Sequence, residues 1–199
     1  DYISPEALLT RLSVKDGRIV TPNGMSYRVL YMPAHVTRYT LPALRKVREL
    51  VSAGAVIVGP KPTSGLGLGS SDSNVRAIAE EVWGRTPSQA GRAFGQGRVY
   101  ETADLTQALA AENIAADVSL SGAASDAQLL TIHRRTDDAD IYFISNQQAR
   151  TETVEATFRV TGRVPELWRA DTASIERLSY RLDGGRIITP LRLNPHEAL

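Results

Sequence analysis

Along the second half of the chain, Val154, Ala156, Phe158 and Val160 alternate with Thr153, Glu155, Thr157 and Arg159. This period of two marks a strand with one face buried and the other wet. Ile141–Ile144 is a denser apolar run and reads as a strand covered on both sides. The polar segment Ser145–Thr151 reads as the loop between them, and antiparallel pairing of the two strands would begin a β-sandwich. Further on, Leu178, Tyr180 and Leu182 alternate, Asp183–Gly184–Gly185 turns, and Ile187–Leu193 returns as the second arm of a hairpin.

The first half has a different period. Ser4 followed by Pro5, Leu8, Leu9 and Leu12 predicts a capped short helix. Tyr27–Met32 is rich in β-formers and stops at Pro33, which predicts a central strand. Thr40 then caps a helix with Pro42 in its first turn, Leu44, Val47, Leu50 and Val51 on one face, and Gly54 at its end. Ala55–Val58 comes next as a buried strand, so strand, helix and strand form a βαβ unit with parallel strands. Val75, Ile78, Ala79, Val82 and Trp83 predict a third helix, capped by Ser71 or Asp72 and ended by Gly84 and Pro87. Arg98–Tyr100 predicts a short strand, and Leu105 and Leu109 mark a fourth helix. The expected class is therefore α/β plus all-β. Residues 1–118 read as an open α/β layer domain, flavodoxin-like or amidotransferase-like, and residues 119–199 as a small, partial antiparallel β-sandwich.

Composition narrows the chemistry. Residues 1–118 carry 13 basic and 11 acidic side chains and residues 119–199 carry 10 and 11, so no basic stripe marks a nucleic-acid partner. No apolar run reaches the roughly 20 residues that span a bilayer, so no membrane partner is expected. Cysteine is absent, which removes thiolate ligands and the cysteine nucleophile of an amidotransferase. A chain that begins at Asp1, just before a helix, reads as an internal piece of a longer polypeptide.

Candidate sites are few. The loop Thr63–Ser71 contains Gly65, Gly67 and Gly69 ahead of a helix N-terminus, a place that favours anions. It lacks both the dinucleotide fingerprint and a Gly-Lys-Ser/Thr closure, so a surface loop is the plainer reading. His35, His133 and His196 lack metal-ligand spacing, and Asp137, Asp138 and Asp140 lack a calcium-loop pattern. Neither a metal nor a cofactor is expected. Glu166 beside Trp168 resembles a carboxyl raised against an aromatic ring, but glycosidase chemistry needs a second carboxyl and none can be nominated. Two further readings stay open. One is a small-molecule- or nucleotide-binding α/β module; the other is a carbohydrate-binding sandwich stacking sugars on Tyr142, Trp168 or Tyr180.

Five stretches carry a resemblance: YRVLYMP (Tyr27–Pro33), LPALRKVRELVSAG (Leu41–Gly54), VGPKP (Val58–Pro62), HRRTDDADIYFISN (His133–Asn146) and FRVTGRVPELWRAD (Phe158–Asp171). In this order they resemble the C-terminal part of large bacterial glycoside hydrolases of family 106, the α-L-rhamnosidase group. The resemblance implies catalytic carboxylates and a calcium site in a (β/α)₈ barrel upstream of this region. No motif here matches them, so no catalytic residue carries over. The turn Arg169–Ala173 departs from the family's pattern. The resemblance thus implies a non-catalytic accessory region, periplasmic or secreted, whose partner is the catalytic barrel of the same polypeptide. His133, Arg134 and Trp168 are the candidates for surfaces facing carbohydrate or that barrel.

Overall fold

Helix α1 (Pro5–Arg11) begins where Ser4 Oγ accepts the Ala7 N–H at 3.1 Å. A small antiparallel sheet comes after it, built from β1 (Ser13–Lys15), β2 (Arg18–Val20) and β3 (Ser26–Tyr27). Asp16 and Gly17 turn its first hairpin with φ of 51° and 70°. Then come β4 (Val29–Tyr31), β5 (Arg38–Tyr39), α2 (Leu41–Ser52), β6 (Val56–Val58), β7 (Ser64–Gly65) and α3 (Asp72–Trp83). The segment closes with β8 (Arg92–Phe94), β9 (Gly97–Tyr100) and α4 (Leu105–Ala111). This is a computed structural model of residues 1–199, and it describes all of them except Pro87 and Gln89. The expected helix stop at Pro87 lies outside the described residues. The chain divides into two compact units, Asp1–Ala115 and Ala116–Leu199, with four helices among the described residues, all in the first.

In the first unit the main sheet has the order β4-β6-β9-β8, with β4, β6 and β9 parallel and β8 antiparallel at the rim. Helices α2 and α3 each carry the chain one strand further in the same direction. Strand β4 is therefore left at an edge, whereas the composition of Tyr27–Met32 had predicted a central strand. That segment is also split, since Ser26–Tyr27 pairs with β2 and only Val29–Tyr31 joins the parallel sheet. Leu44, Val47, Leu50 and Val51 of α2, Val75, Val82 and Trp83 of α3, and Ile57 and Val99 of the sheet form one buried cluster. Trp83 brings its polar atom with it, and Nε1 donates to the Gly59 carbonyl at 3.1 Å.

The second unit contains β10 (Val118–Ser121), β11 (Leu129–Arg135), β12 (Asp140–Asn146), β13 (Glu152–Phe158), β14 (Glu166–Arg169), β15 (Ser174–Arg177), β16 (Arg181–Asp183) and β17 (Arg186–Leu193). One antiparallel sheet has the order β10-β13-β17-β16, and β11-β12 and β14-β15 are two-stranded. Its core is Ile144, Val154, Ala156, Leu191 and Leu193. The expected pairing of Ile141–Ile144 with the Val154 strand does not occur. The turn at Thr136–Ala139 folds β12 back on β11 instead, and Ser145–Thr151 leads across to the other sheet. Nor is β12 covered on both sides: Tyr142 and Ile144 face inward, while Ile141 and Phe143 are 53% and 50% exposed. Buried Asn146 fixes the corner, with Nδ2 donating to the carbonyls of Arg150 at 2.7 Å and Asn194 at 3.0 Å.

Gly97 brings β9 close against the C-terminal end of α2 and the residues that follow it. A Cβ there would lie 2.3 Å from the Ala55 carbonyl oxygen and 2.4 Å from that of Val51, both rigid backbone atoms. Gly97→Ala is expected to destabilise the first unit by about 1–3 kcal/mol, read as a lower urea midpoint in the emission of buried Trp83.

Candidate functional site

The β11–β12 hairpin carries most of the chemistry-bearing residues singled out in the sequence. Its register places His133 opposite Tyr142 and Arg135 opposite Asp140. Alternation then sends His133, Tyr142 and Asp140 to the inner face, and Arg134, Ile132, Ile141 and Phe143 to the outer face. The His133 ring stacks on Tyr142 at 4.2 Å between centroids with 9° between planes, and Tyr142 leans on Phe158 of β13 at 4.6 Å.

His133 sits between two carboxylates. Nδ1 is 2.7 Å from Asp117 Oδ2 and Nε2 is 3.1 Å from Asp140 Oδ1. An imidazole donates from both nitrogens only as the cation. Each carboxylate also meets a guanidinium: Arg159 Nη2 lies 3.2 Å from Asp117 Oδ1, and Arg163 Nε lies 3.0 Å from Asp140 Oδ2. Arg163 donates in addition to the Asp138 carbonyl. The Tyr142 hydroxyl is buried beside Asp117 without a well-aligned hydrogen bond. Burial first, and then the charges of Asp117 and Asp140, push its ionisation far above that of a free tyrosine. With both ring nitrogens engaged by carboxylates, His133 has no atom left for a substrate. The cluster is built to fasten the hairpin to the Asp117 end of β10.

Asp126, Glu152 and Asp138 are engaged as well. Arg150 holds Asp126 with two hydrogen bonds, at 2.9 and 2.6 Å, and Glu152 with one at 2.7 Å, while Glu152 Oε2 accepts the Ala124 N–H at 3.1 Å. The hydrogen bond from Arg150 is the main reason that both carboxyls ionise below their ordinary range. Asp138 accepts from Thr136 Oγ1 at 2.8 Å, which lowers its ionisation too. Among the described residues, no group of three or more His, Asp or Glu side chains is disposed to hold a metal ion.

Arg134 stands on the outer face of the hairpin and makes no ion pair among the described residues. Trp168 lies on β14, 66% exposed, with Nε1 donating to Glu166 Oε2 at 3.3 Å. The structure thus brings His133 into the ionic cluster, puts Arg134 on the opposite face of the same strand, and sets Trp168 on another strand. A groove of about 690 Å³ runs past Trp168, Val164, Tyr142 and Leu199. Asp117, Arg159 and Arg163 were not singled out in the sequence. The sequence signal covered only part of the cluster: HRR (133–135) and Asp140 flank the turn Thr136–Ala139, and the hairpin register sets Arg135 opposite Asp140.

In the first unit, the glycine loop ends at α3, where Ser71 Oγ caps Asn74 N–H at 3.3 Å. Asp72 Oδ1 accepts the Gly65 N–H at 2.8 Å. A carboxylate of the protein therefore already stands at this helix N-terminus, and its charge opposes a phosphate there.

Known proteins share this architecture. The chain is 34% identical to the solved structure of a rhamnosidase from Novosphingobium sp. PP1Y, with a TM-score of 0.86, covering 100% of this chain and 19% of that one. It is 32% identical over 198 residues to a Formosa agariphila protein whose name assigns it provisionally to the beta-glucuronidases, covering 96% of this chain and 16% of that protein. Gan42B, a GH42 beta-galactosidase, shares the fold alone, at 11% identity and a TM-score of 0.51 over 86% of this chain. All three are glycosidases by name. The family model for glycoside hydrolase 106, alpha-L-rhamnosidase, matches residues 1–182. The chain belongs to this family, and it spans less than a fifth of the length of the first two relatives.

Two measurements test the ionic reading. Asp140→Asn leaves Arg163 and His133 facing a neutral amide, and is expected to cost the second unit about 1–3 kcal/mol in urea unfolding. The second concerns pH. Because the folded-state ionisation of Asp126 and Glu152 is depressed, their contribution is present above the unfolded carboxyl range and is lost as pH falls through the folded values. Arg150→Gln is expected to flatten that acid-side loss of stability while leaving the slope of stability with pH little changed above neutrality.

Proposed function

We propose that this chain is an accessory region of a rhamnosidase-type glycoside hydrolase, bracing a catalytic barrel that lies elsewhere in the same polypeptide. The observation that carries the reading is coverage: the whole chain aligns with 19% of a rhamnosidase five times its size. The carboxylates support it. General-acid catalysis on a glycosidic bond needs a carboxyl that stays protonated near neutral pH, opposite a second carboxyl. Of the inward-facing carboxylates of the second unit, Glu152 instead takes a hydrogen bond from Arg150 that lowers its ionisation, and Asp117, Asp140 and Glu197 each sit against a guanidinium.

At finer grain, the first unit is flavodoxin-like and the second a partial β-sandwich. Parallel β4, β6 and β9 with α2 and α3 as crossovers support the former. Contact of Tyr142 on β12 with Phe158 on β13 supports two layers in the latter. The parent enzyme acts on rhamnosides, in keeping with its family's name, and does so outside the cytoplasm. No helix among the described residues is long and apolar enough to cross a membrane.

A second reading, carbohydrate binding, rests on Trp168, whose exposed ring stands at the rim of the groove beside the Glu166 carboxylate. Tryptophan emission separates the two, because Trp83 is buried and Trp168 is the accessible indole. Under the accessory reading the 199-residue chain releases no aglycone from an aryl α-L-rhamnoside, and rhamno-oligosaccharides leave its emission unchanged. Turnover by the isolated chain that Glu166→Gln abolishes would contradict this reading. Saturable quenching that Trp168→Phe removes would favour sugar binding.

A further inference from the structure

The outer face of the β11–β12 hairpin is apolar where an outer face is ordinarily polar. Leu130 and Ile132 on β11, and Ile141 and Phe143 on β12, are each between 50% and 60% exposed. Register makes them one patch, with Ile132 directly opposite Phe143 and Arg134 opposite Ile141. An antiparallel sheet with one wet side keeps its apolar residues on the core face and its polar residues on the other. The second sheet of the same unit obeys this rule. On β13 and β17 the outward positions Thr153, Glu155 and Arg192 are exposed, and Glu155 pairs with Arg181 of β16 at 2.9 Å. Single exposed apolar side chains are common and need no explanation, but the hairpin breaks the rule at four adjoining positions on two strands.

The inner face of the hairpin already has its cover. Tyr142 leans on Phe158, and Ile144 is buried in the core with Val154 and Leu191. The run Ile141–Ile144 therefore has the apolar density of a strand with a neighbour on each side, while the described residues supply a neighbour on one side.

We propose that this outer face is a docking surface for the catalytic region of the same polypeptide, and that the surface it meets is apolar with a carboxylate set against Arg134. The proposal rests on the reading above, in which this chain is an accessory region of a larger glycoside hydrolase. Three observations select this occupant. The chain matches 19% and 16% of the length of its two relatives, so most of each relative lies outside the matched part. Arg134 is exposed beside Ile132 and Ile141 with no ion pair among the described residues, whereas Arg135, on the other face, reaches Asp140 at 3.8 Å. Its charge is therefore free for a carboxylate on the docked surface. Lastly, four apolar side chains and one guanidinium fall well short of the roughly 800 Å² per partner that two freely associating proteins bury. That disfavours a second copy of the chain. A neighbour in the same polypeptide needs less area, because the connection between them holds it at high effective concentration.

Hydroxyl-radical labelling of the folded full-length polypeptide tests the proposal, with Ile144 of the same strand as the buried standard. Corrected for the intrinsic reactivity of each side chain, labelling of Ile132, Ile141 and Phe143 is expected to drop to the level of Ile144. Labelling of these three well above Ile144 overturns the proposal. The occupant is identified by replacing Phe143 with p-benzoylphenylalanine in the full-length polypeptide and mapping the photo-crosslinked peptide. The expected crosslink enters the catalytic region of the same molecule. A crosslink to a second molecule, or to another segment of these 199 residues, rules this occupant out. Arg134→Glu is expected to raise the labelling of Phe143 towards that of an open face, and Arg134→Lys to leave it low; protection that survives Arg134→Glu contradicts the paired carboxylate. None of these readouts uses enzymatic activity. An open face in a polypeptide that still depends on this region defeats the docking surface alone, and a covered face in one that works without this region defeats the accessory reading alone.

Discussion

A carboxylate withdrawn from water must find a positive or hydrogen-bonding partner, and the second unit obeys this constraint with arginine. Asp117, Asp140, Glu152 and Glu197 are the acidic groups drawn inward, and they meet Arg159, Arg163, Arg150 and Arg169 at 3.2, 3.0, 2.7 and 2.8 Å. Such pairs add little net stability against an apolar substitute, but removing one partner leaves the other charge without its counterpart. The pairs therefore specify which strands lie together more than they add stability. Asp117 ties the start of β10 to His133 of β11, Asp140 ties β12 to the segment after β13, and Glu197 ties the last residues to β14.

That arrangement bears directly on function. The hydrogen bond from Arg150 lowers the ionisation of Glu152, the opposite of what a glycosidase asks of its general acid. The imidazole of His133 is occupied in the same way, since both of its nitrogens face carboxylates. The side chains that look most chemical in this sequence thus act as fasteners between strands.

Local chemistry made the helices legible. For α2, Thr40, Pro42 and the apolar face of Leu44, Val47, Leu50 and Val51 agree with one another, and the helix runs over Leu41–Ser52 with that face buried. Helix α3 and the Asp183–Gly185 hairpin were readable for the same reason. Strand partnership was not. Thr136–Ala139 and Ser145–Thr151 are both polar enough to turn the chain, and only tertiary packing decides that the first makes the hairpin and the second a crossing between sheets. The edge position of β4 likewise depends on where two helices carry the chain, which no window of Tyr27–Met32 encodes. In the candidate site, the acidic run at 137–140 was visible, but Asp117 and Arg163 join it from distant segments.

A chain that contributes architecture to a larger glycoside hydrolase should be missed when it is removed. Complementation in trans measures this: the remainder of the full-length polypeptide is produced without this region, and the 199-residue chain is added to it. The remainder alone should melt early and hydrolyse aryl rhamnosides poorly, and adding the chain should raise both its melting temperature and its activity. A remainder that is fully stable and active alone, and indifferent to the added chain, would contradict the architectural role.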